Sequence, residues 1–138
     1  QGQSWGQGEA KGPLIAANLT VASHLLGSPH MPDLTGAILI LEDVGELPYR
    51  LDRMLTHWRT AGLLQNLAGI GLGHFRWTPE DVLPGDLSLE EVLEDRLGDL
   101  GIPVVQGLPV GHGRPNKALP LGRRARLDAQ AGTLSLIN

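Results

Sequence analysis

The sequence predicts an α/β fold closed by an antiparallel hairpin, and three features point to it. A continuous β-favouring apolar run, Ala37-Ile38-Leu39-Ile40-Leu41, reads as a strand buried on both faces. Beyond it, Leu51, Met54, Leu55 and Trp58 recur at i, i+3, i+4 and i+7, which is one face of a helix. Near the end, two short β-favouring stretches flank Ala129-Gln130-Ala131-Gly132, the pattern of a hairpin. A chain of 138 residues suits one domain with its own core, and its 19 glycines and 10 prolines favour short elements joined by tight turns.

Taken in order, residues 1–12 read as a flexible lead-in or interdomain linker, rich in Gly and Gln, with order expected from Pro13. Asn18 is a suitable N-cap for a short helix carrying Leu19, Val21, Ala22, Leu25 and Leu26, stopped by Gly27 and Pro29. The strand 37–41 follows, bounded by Gly36 and by Glu42-Asp43. A helix is then expected over about 50–61, with Gly62 placed to end it. Ala68 to Gly73 reads as a second buried strand whose glycines mark close backbone approach. Ser88-Leu89-Glu90-Glu91 is a capping-box sequence opening a helix with Leu89, Val92, Leu93 and Leu97 on its apolar face. Ile102 to Val105 is a third strand, and 125–128 with 133–137 form the hairpin.

Composition removes several classes of function. A hydrophobic fraction of 41% with 19% charged residues belongs to a globular protein, not a disordered one. Apolar runs stay well short of the ~20 residues a membrane helix needs, and the polar N-terminus lacks the core of a secretory signal. A net charge of −4, with arginines clustered only at Arg123, Arg124 and Arg126, argues against nucleic acid. The absence of cysteine excludes disulfides, thiol nucleophiles and thiolate zinc sites, and fits a cytoplasmic protein. A chain opening on Gln1 reads as a fragment or a processed product.

Two places combine reactive residue types with an exposed setting. Glu42 follows the first buried strand, and sites in open α/β sheets gather beyond the carboxyl ends of strands. The alternative is a solvated strand-end acid. His112 lies between Gly111 and Gly113, unshielded and suited to proton transfer near neutral pH, or else a turn histidine with no task. His74 and His112 could meet a metal with Glu42 or Asp43, although no spacing fixes three ligands. Gly69-Ile70-Gly71-Leu72-Gly73 is not a dinucleotide fingerprint. Ser4, Ser23, Ser28, Ser88 and Ser135 are all the serines, and none lies in a G-x-S-x-G turn. The residues themselves thus offer an acid and a base without a nucleophile.

Several stretches, in order, resemble the serine LD-carboxypeptidases: Ala16-Ala17-Asn18-Leu19-Thr20, Leu25-Leu26-Gly27-Ser28-Pro29, Ile38 to Glu46, Tyr49 to Leu55, Gly111-His112-Gly113, and Asn116 with Leu119-Pro120-Leu121-Gly122. The resemblance covers about 11–138 and the family includes muramoyl-tetrapeptide carboxypeptidases and microcin C immunity peptidases. It implies a C-terminal domain of mixed β and α, swivelling type, spanning 13–138, with the serine nucleophile on an N-terminal domain absent from this chain. Glu42 and His112 would be the acid and base of a Ser-Glu-His triad, with Glu46 as the alternative acid, and they should meet at hydrogen-bond range. The usual Gly-Gly-Asn stands here as Ala16-Ala17-Asn18, which would narrow the interdomain cleft. The implied substrate is the murein tetrapeptide of cell-wall recycling, losing its terminal D-Ala in the cytoplasm without a metal or other cofactor. A homodimer is a further implied partner. The contrasting expectation is a non-catalytic module that binds a peptide or a partner; retention of both Glu42 and His112 argues for the enzyme.

Overall fold

The apolar run around Ile40 forms the middle of a seven-stranded mixed sheet in the computed structural model, which describes residues 4–78 and 83–137. The strands are β1 (Ser4–Trp5), β2 (Glu9–Asn18), β3 (Ile38–Val44), β4 (Gly69–Arg76), β5 (Val104–Gln106), β6 (Arg124–Asp128) and β7 (Thr133–Leu136). They lie in the order β1-β5-β4-β3-β2-β6-β7. Strands β2 to β5 run parallel, while β1, β6 and β7 pair antiparallel at the two sides. Among the described residues, helices α1 (Leu19–Ser23), α2 (Pro48–Thr60) and α3 (Leu89–Leu97) lie between them.

Because side chains alternate along a strand, β3 feeds two cores at once. Leu39 and Leu41 pack with Leu51, Leu55, Trp58, Val92 and Leu93 on the helical face. Ile38 and Ile40 pack with Leu14, Val105, Leu108, Ala125 and Leu127 on the other face. That second core exists because the sheet curls. Residues 9–13 of β2 pair with β6, and residues 14–18 pair with β3, so one long strand serves both halves. Gly12 marks the handover: a Cβ there would stand 2.1 Å from the Gly36 carbonyl oxygen.

The predicted helices form where expected, with shifted ends. Asn18 caps α1, its side chain accepting from the Val21 amide, and α1 gives way to turns after Ser23 rather than running to Leu26. Helix α2 begins at Pro48, since a proline in the first turn sacrifices no helical hydrogen bond. The capping box forms as read: Glu91 N–H donates to Ser88 Oγ and Ser88 N–H to Glu91 Oε2. Arg59 and Arg96 then tie α2 to α3 through Asp99 and Asp52.

The N-terminal linker expected over 1–12 is corrected by the strands. β1 pairs with β5, and β2 starts at Glu9, four residues ahead of Pro13. Glu9 and Lys11 face solvent while Ala10 is buried, an alternation paired to Leu127 and Asp128 at the far end of the sequence. A partner that distant leaves no local signal. Residues 1–3 lie outside the described residues.

Candidate active site

β3 continues three residues past the run that announced it, so Glu42 and Asp43 sit inside the strand and point to opposite faces. Glu42 follows Ile38 and Ile40 toward the face covered by the 107–122 segment. Asp43 follows Leu39 and Leu41 toward α1 and is 2% exposed. Opposite Glu42, β4 carries an extra residue: Leu41 pairs with Leu72 and Asp43 with Phe75, leaving Gly73 and His74 across from one residue. Such a bulge re-aims local side chains. It leaves the His74 amide donating to the Val110 carbonyl at 2.9 Å, which draws the 107–122 segment onto the sheet end.

That segment delivers His112 onto Glu42. Leu108 and Val110 are buried anchors, and Gly111 turns the chain with φ 101°. The Gly111 amide donates to Asn116 Oδ1 at 3.1 Å. The His112 amide donates to Glu42 Oε2 at 3.2 Å and its Nδ1 lies 2.7 Å from the same oxygen, so one carboxylate oxygen meets two nitrogens of one residue. A side chain at 111 would occupy the place of the carboxylate: its Cβ would lie 2.7 Å from Glu42 Oε2. Glu42 Oε1 accepts from Asn18 Nδ2 at 3.2 Å. Glu42 is thus mostly covered (side chain 14% exposed), while the His112 side chain is 55% exposed and borders open space.

Two hollows flank the pair. One of about 630 Å³ is bordered by His112 with His74, Arg76, Gln106 and Arg114. A smaller one of about 310 Å³ is lined by Asn18, Glu42, Gly111, Lys117, Leu119 and Leu121. The imidazole faces the first and its carboxylate the second.

The remaining candidates separate cleanly. Glu46 pairs with Arg50 at 3.6 Å, whereas Glu42 bonds His112. His74 lies under Gly113 with Nε2 3.1 Å from the Pro115 carbonyl oxygen, bracing the loop. Among the described residues, no group of three or more His, Asp or Glu side chains is arranged to hold a metal ion. Ser23 donates to the Leu19 carbonyl and accepts from Trp58 Nε1, and Ser88 caps α3. Sequence reasoning took Asn18 as a helix cap and missed its second face, toward both carboxylates. The S/T/D/N preference for caps masked that role, and no local pattern announces it.

Comparison with known proteins places these features in company. Residues 11–127 match the family model described as LD-carboxypeptidase C-terminal domain. Over 136 residues the chain is 54% identical to a Synechocystis sp. protein named as a carboxypeptidase, covering 99% of this chain and 45% of that one. It is 37% identical over 121 residues to the murein tetrapeptide carboxypeptidase of Pseudomonas aeruginosa, covering 86% and 38%. The crystal structure of a muramoyltetrapeptide carboxypeptidase from Oxalobacter formigenes superposes with a TM-score of 0.80 at 36% identity, over 99% of this chain and 49% of that one. The chain spans less than half the length of each of these relatives.

Proposed function

Since the chain belongs to the family of LD-carboxypeptidase C-terminal domains, we propose that it supplies the base and its orienting acid to a serine-type LD-carboxypeptidase acting on murein tetrapeptide. The contact between His112 Nδ1 and Glu42 Oε2, at 2.7 Å, carries this reading. An ionised carboxylate only accepts, so a hydrogen bond at this contact needs the imidazole proton on Nδ1, which would leave the Nε2 lone pair free to act as a base.

In the reaction, Nε2 takes the proton of a serine hydroxyl as its oxygen attacks the carbonyl before the terminal D-Ala. The proton passes to the departing amine as the C–N bond breaks. Water then enters by the same route and releases the shortened peptide. Glu42 holds the ring and favours its charged form without taking the proton itself. On this reading the nucleophilic serine lies in a part of the enzyme outside this chain; in support, Ser23 and Ser88 are committed to structural bonds, and among the described residues His112 bonds Glu42 and no serine. The names of the Pseudomonas and Oxalobacter relatives support a murein tetrapeptide substrate. The same reading sets this action on recycled murein in the cytoplasm.

The test compares D-Ala release by the full-length enzyme, its His112→Ala and Glu42→Ala variants, and this chain alone. Loss of the acid should cost about 10⁴ in kcat, and loss of the base on the order of 10⁶. The chain alone should release nothing above the solution rate. Wild-type release by His112→Ala would end the proposal.

A further inference from the structure

Asp43 is the one buried charged side chain among the described residues, and a buried carboxylate persists only where donors surround it. Its two oxygens serve different neighbours. Oδ2 accepts from the Thr20 amide and hydroxyl, each at 2.8 Å, and so anchors the start of α1. Oδ1 accepts from the Val44 amide at 2.8 Å and from Asn18 Nδ2 at 3.2 Å. The same Asn18 nitrogen donates to Glu42 Oε1 at 3.2 Å.

The Asn18 amide is held the one way round that fits. Its Oδ1 accepts from the Val21 amide at 3.0 Å, and its two N–H bonds meet one carboxylate each. Turned over, it would set its oxygen against both carboxylates and its NH₂ against an N–H, losing three hydrogen bonds. The arrangement fixes Glu42 from the side away from His112. With Oε1 held by Asn18, Oε2 is aimed at the His112 amide and ring.

We propose that Asn18 and Asp43 form a positioning arm that sets the orientation of Glu42 and, through it, the imidazole tautomer of His112. Neither residue reaches the histidine. Asp43 fixes Asn18, Asn18 fixes the carboxylate, and the carboxylate selects Nδ1–H. Without the arm, Glu42 turns about its side-chain bonds, Nδ1 loses its acceptor and the ring exchanges freely with the Nε2–H form, which cannot serve as a base at Nε2.

The experiment uses this chain, labelled with ¹⁵N in its histidine rings, at a pH where the imidazole is neutral. Nitrogen shifts report which ring atom carries the proton, and thermal unfolding is followed alongside. The wild type should show Nδ1–H as the main form of His112. Asp43→Ala and Asn18→Ser should turn it into the minority form; serine retains the helix cap but is too short to reach Glu42. Thr20→Val, which removes only a hydroxyl on the Oδ2 side, should lower stability and leave the His112 spectrum unchanged. Wild-type nitrogen shifts in Asn18→Ser would overturn the arm, even if Asp43→Ala fails to fold. So would an equal change in Thr20→Val, since the effect would then be general loosening. The spectrum reads the hydrogen bond itself, so either result leaves the peptidase reading to stand or fall on D-Ala release.

Discussion

Gly111→Ala should disable the site while leaving the fold standing, and the structure gives the size of the effect. At φ 101° an alanine is strained, costing about 1–3 kcal/mol. Its Cβ would stand 2.7 Å from Glu42 Oε2 and 2.8 Å from Glu42 Cβ, distances that force the loop or the carboxylate to move. Either movement breaks the bond to His112 Nδ1, a charge-assisted contact worth about 1.5–3 kcal/mol. If the ring then loses its tautomer, kcat in the full-length enzyme should fall by roughly 10²–10⁴, with the larger figure matching outright loss of the acid. Gly132→Ala is the control, because φ is 64° there and an added Cβ meets nothing within 4 Å. It carries strain of about 1–2 kcal/mol and no clash. D-Ala release and urea unfolding should be measured on both. If Gly111→Ala keeps activity within about twofold of wild type, the reasoning that links Gly111 to the carboxylate is wrong.

Ser23→Ala should destabilise without touching catalysis. It leaves Trp58 Nε1 buried with no acceptor, at a cost of about 1–3 kcal/mol read from the urea midpoint, and unchanged stability would refute the assignment. Acid should loosen the ends of α3. The Arg59 guanidinium holds Asp99 below its ordinary 3.8, and the Ser88 amide holds Glu91 below its ordinary 4.5. The folded state therefore binds these protons less readily than the unfolded chain. Their stabilisation is complete above those ordinary values and is lost as pH falls through the depressed ones. Glu91→Gln should remove the Glu91 part, since a neutral amide does not titrate, so an identical stability-against-pH curve between pH 5 and 3 would count against Glu91 as its source.

How much of this was readable in advance depended on distance along the chain. The run 37–41, the Leu51-to-Trp58 spacing and the Ser88-to-Glu91 box are local patterns, and each produced its element. The start of β2 was not readable, because Glu9 to Pro13 owe their conformation to β6, at the other end of the chain. The glycines of β4 mark close approach as their pattern suggested: a Cβ at Gly71 would lie 2.5 Å from Ile40 Cδ1, and one at Gly73 2.6 Å from the Val110 carbonyl oxygen. Glu42 and His112 could each be picked out as reactive residues, although the exposure expected of both holds only for His112 and Glu42 is mostly covered. Their meeting across 70 positions came from the resemblance, since no local rule brings a strand residue and a distant loop residue together. Asn18 and Asp43 were seen, yet their joint task depends on strand parity that becomes visible only once β2 and β3 are in register.

That register has a consequence for how the chain can change in length. Asn18 stands directly beside Glu42 because Leu14 to Asn18 align one for one with Ile38 to Glu42. A single residue inserted within 14–18 would turn Asn18 to the opposite side of the sheet, away from the carboxylate, while leaving composition and hydrophobicity almost untouched. Two inserted residues would restore the side but displace Asn18 by roughly 7 Å along the strand, beyond the reach of its amide. The 24–33 stretch carries no register constraint of this kind, since it leaves α1 through turns and irregular chain, whereas buried Leu34 and Ala37 fix the last residues before β3. Insertions and deletions between related chains should therefore gather in that stretch, and the five-residue block ending at Asn18 should behave as a ruler of fixed length.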